Sequence, residues 1–244
     1  MRITWPPAES SWELKGRDVH VWAAALDVAD DDVARLADLL SPDECDRARR
    51  FVFERDRRRF LCARGTLRLI LASYLQMRPR EITFIYSSRG KPSLAGAHDL
   101  RFNVAHSDGL LVAGVTRVCE IGVDVELIRP MEDAEAIANR FFSEHEASGL
   151  RALRASEQNG AFFNLWTRKE ALLKATGEGL SESLNQVEVS FLAGNPARVI
   201  GMPRNHVPAD RWTLIELNPA AGFAGALAAP APELRPACHR WSSR

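Results

Sequence analysis

The ten residues IGVDVELIRP at positions 121–130 decide how the chain is interpreted. Apolar residues recur there at a spacing of two, as in a strand with one buried face; they are Ile121, Val123 and Val125. Asp124 and Glu126 lie two residues apart, about 6.6–6.8 Å along the other face, with Gly122 beside them. Two such carboxylates suit one Mg²⁺ ion, and Gly122 leaves room for a ligand. The alternative is an edge strand with a solvated polar face.

The composition excludes several classes of protein. A chain of 244 residues holds one large domain or two small ones with a shared core. Lys plus Arg and Asp plus Glu number 32 each, so no overall field attracts nucleic acid or a membrane. No apolar run reaches the roughly 18 residues that span a bilayer. The four scattered cysteines and the absence of a secretion signal predict a reducing cytoplasm, without zinc or disulfides.

Two copies of one pattern run along the chain. The first has a strand at 18–26, a capping box at 41–44, a helix over about 57–76 and strands at 82–87, 101–106 and 110–116. The second has a strand at 119–126, a capping box at 143–146, a helix over about 158–175 and strands at 186–192, 212–217 and 223–229. This order predicts an α+β fold of two similar α/β halves, residues 1–117 and 118–230, with a frayed tail at 231–244.

The helix in FFNLWTRKEALLKATGEGL, residues 162–180, adds charged groups. Side chains spaced four apart share one helix face; they are Trp166, Glu170 and Lys174. Glu170 completes a three-carboxylate Mg²⁺ set if this helix packs across the 121–126 strand. Lys169 lies on a neighbouring face. A surface salt bridge is the alternative, although surface helices need neither the tryptophan nor the two glycines at the end of this segment.

Basic residues form a further group. Nine arginines fall between positions 47 and 68, and arginine grips phosphate through two hydrogen bonds at once. They are Arg47, Arg49, Arg50, Arg55, Arg57, Arg58, Arg59, Arg64 and Arg68. Lys91 lies in the turn GKP, and His106 ends the strand in FNVAHSDG. A solvated helix face and a structural histidine are the alternatives.

These motifs, in this order, resemble the 4′-phosphopantetheinyl transferases of the surfactin-synthetase (Sfp-like) type. The motifs that carry the resemblance are FN-x-x-H-S, G-x-D-x-E and W-x-x-K-E-x-x-x-K, and they fall between about Leu40 and Leu192. Enzymes of this family transfer the phosphopantetheine arm of coenzyme A to a serine of an apo carrier protein and release 3′,5′-ADP. The resemblance implies an active site in the cleft between the two halves.

The resemblance also implies roles for individual residues. Asp124, Glu126 and Glu170 would hold Mg²⁺, or Mn²⁺, against the pyrophosphate of coenzyme A. Lys174 matches the lysine that contacts the phosphates, and Lys169 either tunes Glu170 or contacts phosphate. Glu170, directly or through a metal-bound water, is the candidate general base. The residues expected to bind the nucleotide and its 3′-phosphate are Arg47, Arg59, Lys91 and His106.

Two positions depart from the family pattern. Ala105 replaces a serine that often precedes the histidine, and Glu44 replaces a phosphate-binding lysine. If binding depended on these contacts, the KM for coenzyme A would be unusually high.

The partners are apo acyl or peptidyl carriers of fatty-acid, polyketide or nonribosomal-peptide synthesis, and a monomer is expected. The loop 127–135, with the residues after Gly179, is a hypothesis for the carrier-docking surface, because Leu127, Ile128 and Met131 are apolar. Two other functions stay open. A coenzyme A- or carrier-binding scaffold would lack activity, and a metal-dependent nuclease would use the same carboxylates.

Overall fold

The computed structural model describes residues 4–7, 13–177, 184–192, 194–204 and 206–242. The helices within these ranges are α1 (Asp30–Ala37), α2 (Pro42–Ala48), α3 (Glu54–Leu75), α4 (Ala134–Phe141), α5 (Glu144–Ala152) and α6 (Ala155–Thr176). The strands are β1 (Asp18–Ala25), β2 (Phe84–Tyr86), β3 (Pro92–Leu94), β4 (Arg101–Ser107), β5 (Leu110–Thr116), β6 (Gly122–Leu127), β7 (Glu188–Val189), β8 (Val199–Gly201), β9 (Thr213–Leu217), β10 (Phe223–Ala229) and β11 (Arg235–Arg240).

The strands form two main sheets that repeat one arrangement. The first has the order β11-β1-β5-β4, and the second has the order β6-β10-β9. In each, the first strand of the half pairs antiparallel with the second strand of a later hairpin, β5 or β10. The short hairpins β2–β3 and β7–β8 follow the long helices α3 and α6. The predicted α+β fold of two similar halves is confirmed.

Three apolar cores hold the layers together. One lies under α3 against the first sheet, a second lies under α6 against the second sheet, and the third joins the two sheets. The third contains Val112 of β5, Val123 of β6 and Leu227 of β10, all fully buried. The Asn103 side chain adds a polar link, because its Oδ1 accepts a hydrogen bond of 2.9 Å from the Val123 amide. The two sheets therefore hold β4 close to β6.

Gly122 is required by helix packing. A Cβ at this position would lie 2.0 Å from the Ala171 carbonyl oxygen and 2.5 Å from the Ala175 amide nitrogen, both in the backbone of α6. The expectation that Gly122 leaves space for a ligand is therefore wrong. Its missing side chain lets α6 lie directly on β6, so the helix does pack across the carboxylate strand.

The prediction of a frayed C-terminal tail is also wrong. β11 pairs in parallel with β1, with Val21 opposite Cys238. Leu234 and Cys238 are buried in the core between the sheets, and the Trp241 amide donates to the Ala23 carbonyl. The boundary near residue 117 stays a prediction, but residues 235–240 complete the sheet of the first half.

Residues 186–192 were expected to form a strand and largely do not. A 3₁₀ turn occupies Leu184–Gln186, and β7 covers two residues only. The Val189 amide donates to the buried Glu146 carboxylate at 2.8 Å, which removes this donor from the strand ladder. Elsewhere the predicted long helices extend by a few residues to the bounds of α3 and α6, and both end at a left-handed residue, Gln76 or Gly177.

No helix within the described ranges is long and apolar enough to cross a membrane.

Candidate active site

The contact between α6 and β6 gathers three of the predicted residues. Asp124 is buried, and its Oδ1 accepts a hydrogen bond from Lys174 Nζ at 2.6 Å. Glu170, one helical turn earlier, is half-buried on the same face. Asp124 Oδ2 and Glu170 Oε1 are both buried and accept no hydrogen bond from the part of the chain that the structure describes. Two buried carboxylate oxygens thus remain open to a cation or a proton donor.

Burial sets the protonation of these acids. Desolvation raises the pKa of Asp124 to about 7, and the attraction of Lys174 offsets this only in part; Glu126 and Glu170 raise it further. Burial also raises the pKa of Glu170, with Lys174 opposing and Glu126 adding to the shift. The pocket therefore holds more carboxylate than the one ammonium of Lys174 neutralises, which fits a site that takes a divalent cation.

The predicted metal ligands do not form a ready-made cluster. Within the described ranges, no three His, Cys, Asp or Glu side chains are arranged to hold a metal ion. Lys174 instead takes the position of a cation beside Asp124. The Mg²⁺ set of Asp124, Glu126 and Glu170 stays a prediction, supported by the open carboxylate oxygens.

Ser107 fixes the third carboxylate and was not predicted as a site residue. Its hydroxyl donates to Glu126 Oε2 at 2.6 Å and accepts a hydrogen bond from the Leu127 amide at 3.2 Å. Ser107 thereby ties the end of β4 to the end of β6 and orients Glu126. The available signal for Ser107 was its position directly after His106. β4 continues one residue further than the sequence predicted and so includes Ser107.

His106 faces a wall of basic groups. Burial lowers the pKa of its imidazole, and the positive charges of Lys174, Arg64 and Arg47 lower it further, against the opposing effect of Glu126. The imidazole is therefore neutral at neutral pH. Three helices, α2, α3 and α6, thus each place one basic side chain near His106. Such a group of positive charges suits a phosphate.

Arg64 is a second residue that the sequence analysis did not select. Its guanidinium lies 5.2 Å from the centre of the Phe84 ring, and its Nη1 is buried without a hydrogen-bond partner in the described ranges. A distance of 3.4 Å separates its Nε from Glu44 Oε1. A buried guanidinium nitrogen aimed at no protein acceptor is available to an anion. Its spacing of four from Arg68 on α3 marks the inner face of the arginine-rich segment.

Arg47 and Arg59 are placed differently from each other. Arg47 is exposed and lies over the Phe60 ring, 5.3 Å from its centre. Arg59 donates to Asp27 and to Asp108, each at 2.7 Å, and its hydrogen bond to Asp27 raises its pKa. Arg47 is therefore open to a phosphate, whereas two carboxylates already occupy the Arg59 guanidinium.

Lys91 reaches the second half from the turn before β3. Its Nζ donates to the Lys174 carbonyl oxygen at 2.7 Å and pairs with Glu120 at 2.8 Å. The carbonyl belongs to the last turn of α6, where a cation is favoured. The GKP turn is thus fixed beside Lys174, for which a phosphate contact stays a prediction.

Lys169 does not belong to the cleft, and its predicted role is wrong. It is fully buried, 2.7 Å from Glu146, and donates to the carbonyl oxygens of Leu184 and Val187. Burial lowers its pKa, against the attraction of Glu146. A side chain enclosed in this way on the far face of α6 cannot contact phosphate or tune Glu170.

The two departures from the family pattern have structural explanations. Glu44 is buried, accepts a hydrogen bond from the Ser41 amide and pairs with Arg68 at 2.8 Å, so it stabilises the start of α2. Ala105 is buried in the core between the sheets. Glu44 also lies 3.4 Å from Arg64, so its carboxylate holds two arginines of α3 where the family pattern has a lysine.

Two similar halves bring the carboxylates of β6 and α6 close to the basic groups around His106, an arrangement that suits a phosphorylated substrate. Residues 120–228 match the 4′-phosphopantetheinyl transferase superfamily, and residues 27–117 match the N-terminal 4′-phosphopantetheinyl transferase family. The chain belongs to the 4′-phosphopantetheinyl transferase superfamily and is of the Sfp type. It is therefore a transferase.

Individual relatives agree over nearly the full length. The chain is 39% identical to the 4′-phosphopantetheinyl transferase HetI of Nostoc sp. strain PCC 7120, over 93% of this chain and 94% of that protein. It is 31% identical to the 4′-phosphopantetheinyl transferase Sfp of Bacillus subtilis strain 168, over 82% and 86%. The solved holo-[acyl-carrier-protein] synthase of Thermotoga maritima aligns with 45% of this chain and 61% of that chain. The aligned residues are 20% identical, and the TM-score is 0.35.

Proposed function

We propose that the protein transfers the 4′-phosphopantetheine arm of coenzyme A to a serine hydroxyl of an apo acyl or peptidyl carrier protein, with Mg²⁺ as cofactor and Mn²⁺ as a substitute. The products are the holo-carrier and 3′,5′-ADP. One observation carries the proposal: the buried oxygens of Asp124 and Glu170 lie beside the ammonium of Lys174, and the same lysine acts with Arg47 and Arg64 on His106. This arrangement suits a pyrophosphate with its metal.

Each part of the cleft then has a role in binding. Arg47, Lys91 and His106 bind the nucleotide and its 3′-phosphate, and Arg59 contributes only if it leaves Asp27 or Asp108. Asp124, Glu126 and Glu170 hold Mg²⁺, with Ser107 orienting Glu126. When bound, the ion neutralises charge on the pyrophosphate oxygens.

The transfer exchanges one phosphorus–oxygen bond for another. The carrier serine oxygen bonds to the β-phosphorus, and the bond from that phosphorus to the bridging oxygen breaks, which leaves the negative charge on 3′,5′-ADP. Lys174 supplies an ammonium to that charge. Glu170 accepts the serine proton, and the raised pKa of this buried acid brings it closer to the neutral range where a general base is effective.

The loop 127–135 is retained as one carrier contact. Ile128 is 36% exposed, whereas Met131 packs against the core under α6. Ile128→Asp is therefore a cleaner test of this loop than a change at Met131, because it leaves the core intact. The residues 180–183 of the same hypothesis lie outside the described ranges. The protein is proposed to act as a monomer in the cytoplasm.

Intact-mass spectrometry tests the proposed reaction directly. Apo acyl and peptidyl carriers are incubated with the protein, coenzyme A and Mg²⁺, beside Asp124→Ala and, as a matched control, Asp210→Ala, which removes an exposed acid. We expect the carrier to gain one phosphopantetheine with the wild-type protein and with Asp210→Ala. The gain should be lost with EDTA and with Asp124→Ala.

The other outcomes identify the alternatives. Binding of coenzyme A without a mass gain on any carrier would support a scaffold. Absence of both binding and transfer, with Mg²⁺-dependent cleavage of DNA or RNA, would support a nuclease.

A further inference from the structure

The link between α2 and α3 exposes apolar side chains that the fold does not use. Val52 is 88% exposed, Phe53 is 68% exposed and Phe51 is 37% exposed. The Phe51 ring packs against Phe60, with 5.3 Å between ring centres, and this contact fixes the link to α3. The amides of Asp56 and Arg57 donate to the Phe53 carbonyl. The backbone is thus ordered while two neighbouring apolar side chains face solvent, which is typical of an interaction surface.

Positive charge surrounds this apolar surface. Residues 46–59 contain seven arginines against three acids, a net charge of +4. Several of these arginines have acidic partners, such as Arg49 with Asp46 and Arg57 with Glu54. Arg50, next to Phe51, is exposed and forms no ion pair with any residue that the structure describes. A partner for this surface must therefore offer apolar contacts within an acidic rim.

The surface lies at the mouth of the active-site cleft. Phe51 lines a cavity of about 370 Å³ together with His106, Ser107 and Leu127. Ser107 holds Glu126, and Leu127 begins the loop already proposed to contact the carrier. A protein seated on residues 50–53 is thus adjacent to the groups that act on its serine.

We propose that Arg50, Val52 and Phe53, the arginine-rimmed surface, dock the apo carrier protein through an acidic helix with an apolar centre. This inference rests on the proposed function, since it names where the acceptor binds. A second copy of this chain fits the surface poorly. A symmetric contact would bring Arg50 and its neighbouring arginines against the same arginines of the other copy.

Steady-state transfer kinetics test the docking surface. Phe53→Ser and Val52→Ser are compared with Ile200→Ser, which removes a similarly exposed apolar residue, 55% exposed, from β8 in the other half. Phe53 is the N-cap residue of α3, and serine is favoured at that position, so the variant retains the helix. The acceptors are one apo acyl carrier and one apo peptidyl carrier.

We expect each surface variant to lower kcat/KM for at least one carrier by about tenfold, mainly through KM, with KM for coenzyme A unchanged. Arg50→Glu should lower the same constant and weaken its decrease with added salt, because attraction to an acidic carrier is lost. The Ile200→Ser variant should match the wild type.

Two results separate failure of this inference from failure of the proposed function. If the wild type modifies carriers and the surface variants equal Ile200→Ser with both, the docking surface is wrong and the transfer reaction stands. If the wild type modifies no carrier, the proposed function itself fails. A Phe53→Ser variant that runs as a monomer beside a dimeric wild type would assign the surface to a second copy.

Discussion

The two halves share one frame, and the acids and the lysine proposed for catalysis lie in only one of them. The long helices α3 and α6 are each 22 residues long. The fifteenth residue of each is a buried base, Arg68 or Lys169. Each base pairs with the glutamate of the capping box that starts the preceding helix, Glu44 or Glu146. The same buried ion pair therefore locks both helices, which explains why Lys169 belongs to the frame.

The halves differ where the first strand meets the long helix. Trp22 of β1 is the first-half counterpart of Asp124 of β6. Asp124 lies opposite Ala226, the fourth residue of β10, and Trp22 lies opposite Ala113, the fourth residue of β5. The tryptophan joins the core under α3.

The two helices differ in the same sense. The sixteenth and twentieth residues are Glu170 and Lys174 in α6, but Leu69 and Ser73 in α3. The second half thus has acids and a lysine at a few matched positions, where the first half has the uncharged residues Trp22, Leu69 and Ser73.

The largest effect is expected from Asp124→Asn. This change removes the negative charge of Asp124, so the position becomes uncharged, as its counterpart Trp22 is in the first half. We expect transfer to fall by about 10³-fold, since the charge that should bind the metal and hold Lys174 is lost. The initial rate of holo-carrier formation, followed by intact mass, measures this effect. Retention of even a tenth of the activity would show that Asp124 is not central to the chemistry.

The shared ion pair is tested next, by Lys169→Met and its first-half counterpart Arg68→Met. Lys169→Met leaves the buried Glu146 without its ionic partner and should lower the free energy of unfolding by about 3 kcal/mol. Arg68→Met should lower it by less, because Arg64 stays 3.4 Å from Glu44. Urea unfolding followed by circular dichroism measures the loss. The KM for coenzyme A of the folded fraction should not change. A Lys169→Met variant with normal stability and a raised KM would return Lys169 to the active site.

A smaller effect is expected at Ser107. Ser107→Ala removes the hydroxyl that donates to Glu126 at 2.6 Å, and we expect kcat/KM to fall about tenfold, with a higher Mg²⁺ concentration for half-maximal rate. Ser73→Ala is the matched control, because Ser73 occupies the position of Lys174 in α3 and its hydroxyl donates to the Leu69 carbonyl of its own helix. Equal effects of the two changes would contradict an orienting role for Ser107.

The last prediction concerns the pH dependence of stability. The pKa of Asp124 is about 7 in the folded protein and near 3.8 in the unfolded chain, so the folded state holds an extra proton between these values. This contribution to stability is present in full below about pH 4 and is lost as the pH rises to 7. In EDTA, the Tm of the wild type should therefore fall relative to that of Asp124→Asn between pH 5 and pH 8. Parallel Tm curves would show that burial does not shift this acid.

The sequence predicted elements better than it predicted contacts. Short continuous apolar runs located β5 and β10 to the residue, because strands that are buried on both faces leave such a pattern. The carboxylates on β6 and α6 were recognised because spacing alone places them on shared faces. Ser107 and Arg64 were missed, since their roles depend on side chains that meet only after the sheets pack. Lys169 was misplaced for the same reason: its neighbour Glu170 faces the cleft, and one residue of helix rotation turns a side chain toward the core.

The first sheet is completed by β11, which lies near the end of the described chain. During synthesis on the ribosome, this sheet therefore stays incomplete until β11 has been made. The first-half strands up to Thr116 emerge well before Arg235, and 118 residues lie between the two. At ordinary translation rates this interval lasts on the order of 10 s. Throughout it the outer edge of β1, with the apolar residues Val19 and Val21, has no strand beside it and is open to other nascent chains. Aggregation during expression should therefore depend on how fast the second half is translated.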